Sequence, residues 1–192
     1  CGTGLLSLMV AQKNQEIQIM ALEIDQNAVL DATENIQESP YSNQITILNN
    51  SVQDFVKKSN NKFDLIFCNP PFYQNYLKSD KLEKNIAHHA KTLTFSDLAE
   101  CIDLLLKENG SAWILLPTFE MREFISIVEE KKLYVSKRFE VRHNENKPIF
   151  RVIVELKRTK AILEKISIIN IYENNQYSPI FVELLKDYYL IF

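Results

Sequence analysis

Hydrophobic and polar positions along this chain change period repeatedly, and the changes mark its elements. Residues 5–11 (LLSLMVA) form an apolar run that reads as a helix, and residues 17–24 (IQIMALEI) read as a strand. A helical pattern follows over 26–38, closed by Pro40. Strand patterns at 44–48 and 63–68 flank a short helix at 52–58. The spacing then predicts a helix over 96–108, with Ser96 as N-cap and Gly110 as its stop. A strand at 111–116 and a helix at 119–131 come next. Two longer strands, 133–142 and 148–157, are joined by the polar loop HNENK. A strand at 165–171 and a helix at 179–189 complete the pattern.

Strand–helix alternation predicts an α/β fold with an open, mostly parallel, doubly wound sheet covered on both faces. The two late strands without a helix between them predict an antiparallel C-terminal edge. No internal repeat or low-complexity linker interrupts the chain, so one domain over 1–192 is expected.

Composition narrows the class. At 46% hydrophobic and 24% charged residues the chain is globular rather than disordered or fibrous. It shows no basic-then-apolar leader and no apolar run long enough to span a bilayer. Cys1, Cys68 and Cys101 are far apart and read as reduced thiols of a cytosolic protein, not as a disulfide or zinc framework. The net charge of −3 argues mildly against a nucleic-acid binder. Between Lys131 and Lys165, however, eleven lysines and arginines face four glutamates, which gives either a phosphate-meeting patch or an ordinary solvated surface.

Three short stretches carry chemistry. CGTG opens the chain, and Gly2 and Gly4 are two of its three glycines. A glycine-spaced turn running into an apolar helix lets backbone approach a nucleotide-like ligand beside free helix N–H groups. The strand that should precede this turn is absent from the sequence, which reads as a fragment lacking its first sheet strand. On that reading the strands bearing Glu23 and Asn69 lose their shared neighbour, and the fragment alone is expected to be unstable, without cofactor binding and inactive. Glu23 ends the second stretch, LEID, about 20 residues after the glycines, where an acid accepts hydrogen bonds from a ribose diol. Asp25 reads as a helix N-cap.

The third stretch is NPPFY, Asn69–Pro70–Pro71–Phe72–Tyr73, at the end of a buried strand. Asn-Pro alone is a common turn. At the ligand edge of a parallel sheet it has a second use. The lone pair of an exocyclic nucleobase amine is delocalised into its ring, so the amine is a poor nucleophile. Two acceptors on its N–H bonds, the Asn69 side-chain oxygen and the Pro70 carbonyl, pull it toward a tetrahedral geometry. The prolines hold that carbonyl in place. An aromatic beside them stacks on a base that has left its own stack.

CGTG, LEID and NPPF in this order resemble the class I S-adenosylmethionine-dependent methyltransferases that modify exocyclic or amide nitrogens. DATENIQESP, FDLIFCNPPFYQ and QYSPIFVELLKDYYLIF extend the resemblance across the chain and are closest to the bacterial tRNA1(Val) adenine-N6 methyltransferases. The resemblance implies a Rossmann-like fold and a cytoplasmic enzyme with S-adenosyl-L-methionine as cofactor and tRNA as partner. It implies direct methyl transfer to the adenine beside the anticodon, with no metal and no covalent intermediate. Gly2, Gly4 and Glu23 would hold the cofactor. Asn69, Pro70 and Phe72 would be catalytic, and Pro71 and Tyr73 would adjoin the substrate. Ser51 stands where relatives often carry an aspartate that reads the cofactor's adenine, and Asn50 or Asp54 are alternatives for that role. His88 and His89 lie where relatives often carry an arginine; they read as RNA contacts or as an exposed pair with no specific role. The same motif also serves glutamine-N5 protein methyltransferases and other adenine-N6 methyltransferases, and a non-catalytic RNA-binding module is a third alternative.

Overall fold

Asp25 turns the first strand into a helix, and the local chemistry there shows how the N-terminal unit is built. Its carboxylate accepts from the backbone N–H of Asn27 and of Ala28, both at 2.9 Å. The computed structural model describes residues 1–70, 93–160 and 165–190. The chain divides into two units, Cys1–Ser59 and Asn60–Phe192.

The first unit contains helix α1 (Leu5–Lys13), strand β1 (Ile19–Glu23), α2 (Gln26–Gln37), β2 (Ile45–Asn49) and α3 (Val52–Lys58). β1 and β2 pair in parallel from Ile19 opposite Ile45 to Glu23 opposite Asn49, with α2 as the crossover. Ala11, Ala21, Ile36 and Ile45 form its core.

The second unit contains β3 (Phe63–Cys68), α4 (Phe95–Leu105), β4 (Leu106–Leu116), α5 (Thr118–Glu130), β5 (Tyr134–Arg142), β6 (Ile149–Lys157) and β7 (Lys165–Asn170). A short hairpin, β8 (Tyr172–Glu173) and β9 (Gln176–Tyr177), leads into α6 (Pro179–Leu185). The sheet order is β3-β4-β6-β5-β7. β3 is parallel to β4, β6 is antiparallel to both β4 and β5, and β7 is parallel to β5. The expected antiparallel pairing is therefore present, but β6 lies inside the sheet and parallel β7 is outermost. α4 and α5 cover one face, burying Ile114, Leu116, Val152, Val154 and Leu156 completely. Phe95 meets Phe124 edge-on between the two helices, with ring centroids 5.6 Å apart. Among the described residues, β1 pairs only with β2 and β3 only with β4. Among them, too, no helix is long and apolar enough to cross a membrane.

Two expectations are corrected around α4. Thr94, not Ser96, is the N-cap: its hydroxyl accepts from Asp97 N–H at 3.1 Å while the Asp97 carboxylate accepts from Thr94 N–H at 3.2 Å. The helix ends at Leu105, and Gly110 does not stop it. Leu106, 1% exposed, is drawn into the core and begins β4 at once. Gly110 instead lies inside β4, where the register against β3 shifts between Phe63 and Leu65. A Cβ at Gly110 would stand 2.9 Å from Leu106 Cδ1 and 3.0 Å from the carbonyl oxygens of Phe63 and Asp64. The last helix also stops at Leu185, short of residue 189.

Gly110→Ala is expected to destabilise the protein by about 1–3 kcal/mol, because the buried Leu106 side chain must shift and the carbonyls of Phe63 and Asp64 must give. Urea unfolding checks this; an unchanged midpoint would show that β3 and β4 do not press on this position.

Candidate functional site

In the first unit the glycine turn, the end of β1 and the start of α3 adjoin one another. Gly2 and Gly4 have φ of 58° and 84°, conformations that a side chain disfavours. A Cβ at Gly2 would meet nothing within 4 Å, so the turn is open on that side. At Gly4 a Cβ would touch Ala32 and Ile36, so this glycine seats α1 against α2. α1 has no side-chain cap, which leaves first-turn N–H groups available to a ligand.

Glu23 closes the turn. Its Oε2 accepts from the Cys1 amino group and from Gly2 N–H, both at 2.7 Å. Oε1 accepts from the N–H groups of Ile24 at 2.9 Å and Asp25 at 3.0 Å. Four donors fill the carboxylate's acceptor positions. Partial burial raises its pKa, but hydrogen bonds from the Asp25 N–H, from Cys1 N and from the Gly2 N–H outweigh that and hold it at about 2. Asn50 N–H donates to the Glu23 carbonyl at 2.9 Å, tying the end of β2 to the end of β1. Ser51 caps α3 by accepting from Asp54 N–H at 3.0 Å. Asp54 is exposed and pairs with Lys57 at 3.5 Å.

In the second unit β3 ends at Cys68 opposite Ile114, and Asn69 is exposed just beyond it while Pro70 is buried. Burial against the α4–α5 core pushes the Cys68 thiol up to about 11, so it is neutral and a poor nucleophile at neutral pH. Pro71, Phe72, Tyr73, His88 and His89 lie outside the described residues.

Part of the basic stretch serves the fold. Lys137 and Lys157 lie 3.2 and 3.7 Å from the buried carboxylate of Glu155, which also accepts from the Ser136 hydroxyl at 2.7 Å. Burial raises the Glu155 pKa, but Ser136 and Lys137 bring it below the usual carboxylate range. Arg158 pairs with Asp103 at 2.6 Å and Arg138 with Glu140 at 2.8 Å. The cations at the tip between β5 and β6 differ. Arg142 donates to the Asn170 amide oxygen at 2.7 Å and to the Glu145 carbonyl, and Lys147 is exposed. Among the described residues neither has a carboxylate partner.

The same tip carries aromatic rings that sequence reasoning missed. His143 stacks on Phe150 with centroids 4.7 Å apart and planes 9° apart, and the Arg151 guanidinium lies over Phe150. Tyr172, Tyr177 and Phe181 form a continuous stack with spacings of 4.9 and 5.5 Å. Asn174 and Asn175, with φ of 50° and 63°, make the turn between the tyrosines. Asn-Asn between two aromatics is the signal that would have found this hairpin.

Glu23 is depressed from 4.5 to about 2, so its contribution to stability is fully present above about pH 4.5 and is lost as pH falls toward 2. Melting temperature followed from pH 6 to 2 is expected to fall more steeply in the wild type than in Glu23→Gln; parallel profiles would show that the clasp contributes nothing. Iodoacetamide at pH 8 is expected to label Cys1 well before Cys68, and equal rates by peptide mapping would show that the Cys68 thiol is not suppressed.

Residues 1–100 match the methyltransferase small domain family. Over 195 residues the chain is 40% identical to a Dyadobacter fermentans protein named tRNA1(Val) (adenine(37)-N6)-methyltransferase, covering 100% of this chain and 80% of that one. A Parabacteroides distasonis protein of the same name is 37% identical over 191 residues, covering 98% and 80%. Among solved structures, an Agrobacterium tumefaciens protein described as a predicted O-methyltransferase aligns with a TM-score of 0.73 at 14% identity, covering 97% of this chain and 85% of that one. A TehB-like SAM-dependent methyltransferase of Corynebacterium glutamicum aligns with a TM-score of 0.54 at 14% identity, covering 83% and 77%. The structural likenesses show a Rossmann-like class I methyltransferase fold. By its identity to relatives over the whole chain, the chain belongs to the tRNA1(Val) (adenine(37)-N6)-methyltransferase family.

Proposed function

We propose that the protein methylates N6 of the adenine beside the anticodon of tRNA1(Val), using S-adenosyl-L-methionine. The observation that carries this reading is 40% identity over the whole chain to a relative named for that reaction. An Asn-Pro at the carboxyl end of a parallel strand, with Pro70 buried and Asn69 exposed, supports it.

Gly2, Gly4, Glu23 and Ser51 are assigned to the cofactor. The open side of Gly2 and the uncapped start of α1 suit close approach of a zwitterionic ligand. Glu23 reaches ribose hydroxyls only by exchanging one of its four present donors, so its first task is to shape the turn. Ser51 keeps its capping bond and has a hydroxyl proton left to donate.

Asn69, Pro70 and Phe72 are assigned to catalysis, with Pro71 and Tyr73 beside the substrate. S-adenosyl-L-methionine supplies a methyl group on a sulfonium. The Asn69 side-chain oxygen and the Pro70 carbonyl accept the two N6–H bonds and free the amine lone pair. That pair would form the new N–C bond as the methyl C–S bond breaks with its electron pair left on the sulfur, giving a neutral thioether, and the surplus proton would leave to solvent. Phe72 stacks on the base and holds it in line. The suppressed Cys68 thiol beside Asn69 fits a transfer with no covalent enzyme intermediate.

Asn69→Ala is expected to lower kcat on a tRNA1(Val) transcript by about 100-fold or more while cofactor affinity stays within about threefold. Radiolabelled methyl transfer and calorimetric titration of the cofactor check this. Wild-type protein that leaves unmodified tRNA1(Val) untouched but methylates a release factor would overturn the reading.

A further inference from the structure

The tail QYSPIFVELLKDYYLIF plays no part in methyl transfer as derived above. Its structure places it on the same sheet edge as Asn69. Strands β3, β4, β5 and β7 run in one direction and β6 runs against them. The residues that follow β3, β5 and β7, and those that open β6, therefore share one edge. Asn69, Phe150, His143 and Tyr172 occupy it, on the strand order β3-β4-β6-β5-β7. At roughly 4.8 Å per strand, Phe150, His143 and Tyr172 are displaced by about 10, 14 and 19 Å from the β3 line.

The hairpin is fixed firmly to this edge. Ile171 N–H donates to the Arg142 carbonyl at 2.9 Å, and Tyr172 N–H to the His143 carbonyl at 2.7 Å. The Ser178 hydroxyl, fully buried, donates to the Asn170 carbonyl and accepts from Phe181 N–H at 3.2 Å. The Tyr172–Tyr177 stack is thus held rigid, and Tyr172 remains 36% exposed at its outer end. His143 likewise caps Phe150 with an exposed ring.

At this edge cations without a carboxylate partner stand beside stacked rings. Lys137, Arg138, Lys157 and Arg158 are paired with carboxylates, whereas Arg142 and Lys147 have none among the described residues. Flat rings interleaved with unneutralised cations match a strand of bases joined by phosphates better than an apolar protein face. A stacked strand rises about 3.4 Å per nucleotide, so the displacements correspond to roughly three to six nucleotides.

We propose that Arg142, His143, Lys147, Phe150, Tyr172 and Tyr177 form a platform that holds the anticodon-loop nucleotides flanking the target adenine. The proposal rests on the reading of the chain as a tRNA methyltransferase. Unpaired bases stack on Tyr172 and His143, and Arg142 and Lys147 meet the phosphates between them. The residues position the substrate and take no part in the chemical step.

The test uses the intact protein, S-adenosyl-L-methionine and tRNA1(Val) transcript. Wild-type turnover tests the functional reading by itself, and the variants test the platform. Tyr172→Leu keeps an apolar contact with Tyr177 but removes the π-face; it is expected to raise the KM for tRNA by about tenfold, with kcat and cofactor affinity unchanged. Tyr172→Phe restores the wild-type KM. Lys147→Gln raises the KM and reduces the salt dependence of tRNA binding by about one phosphate contact. Zero-length photocrosslinking of wild-type protein to tRNA gives peptides containing Tyr172 or His143, which covers the case in which a variant does not fold. Wild-type turnover with unchanged KM and salt slope in both variants would overturn the platform and leave the functional reading standing. A change of oligomeric state without loss of tRNA affinity would assign the surface to a second protein chain and also overturn it.

Discussion

The larger unit depends on the alternation along β4. Ala112, Ile114 and Leu116 are fully buried against α4 and α5, while Trp113 and Leu115 face the other way. β4 is also the strand that joins the two directions of the sheet. Cys68 stands opposite its Ile114, and Val152 opposite its Leu116. A slip of one residue would turn every buried side chain outward. The burial of three side chains therefore sets where Asn69 emerges on the edge and where Phe150 begins two strands away. Nothing in the Asn-Pro dipeptide itself supplies that position; it is inherited from the hydrophobic register of its neighbour.

Glu23 plays the matching part in the smaller unit, with a different balance of forces. Taking a carboxylate partly out of water is costly, and here four donors more than compensate. Each donor is a main-chain nitrogen, so the carboxylate orders local backbone rather than joining distant side chains. Gly2 donates its N–H to Oε2 and then turns the chain into α1 through a positive φ. The glycine and the acid are thus one structural device before they are anything else. A ligand that engages this acid must compete with bonds the protein already makes.

Elements with one-residue chemical signatures were legible in the sequence. Asp25, Pro40 and the apolar run before Asn69 each state their role locally. Gly110 was misread because a glycine after a helical pattern is usually a stop, and only the nearness of β3 shows that it is needed for close backbone approach. The end of α5 was bounded correctly although no glycine marks it. Lys132 takes φ 59° there because Leu133 is pulled wholly into the core. The basic stretch was ambiguous for a similar reason. Glu155 meets Lys137 from the neighbouring strand and Lys157 along its own strand, and Asp103 reaches Arg158 from α4; the pairings of Lys137 and Arg158 depend on tertiary contact. The candidate site was legible as chemistry in Asn69–Pro70 and as loop shape in Gly2 and Gly4. The backbone bonds that already occupy Glu23 and Ser51 were not, because hydrogen-bond partners of this kind have no sequence pattern.

In its proposed role Asn-Pro-Pro-Phe addresses a problem common to all planar amines and amides, so it would say what is done to a nitrogen and little about which molecule carries it. Discrimination between substrates has to come from surfaces further along the same edge. Here the chain after β6 adds an outer strand, a two-residue hairpin and a short helix. A hairpin of that length is not stable alone. It persists because Ser178 is buried beneath it and its backbone is tied to Arg142 and His143. A solvent-exposed loop needs none of that rigidity. A surface that must present ring faces at fixed distances from a reacting atom does, because misplacement of the substrate by about 1 Å can cost two orders of magnitude in rate. The ordering of this tail and the placement of Asn69 are consequences of one sheet register, and on the proposed reading that shared origin ties substrate selection to chemistry.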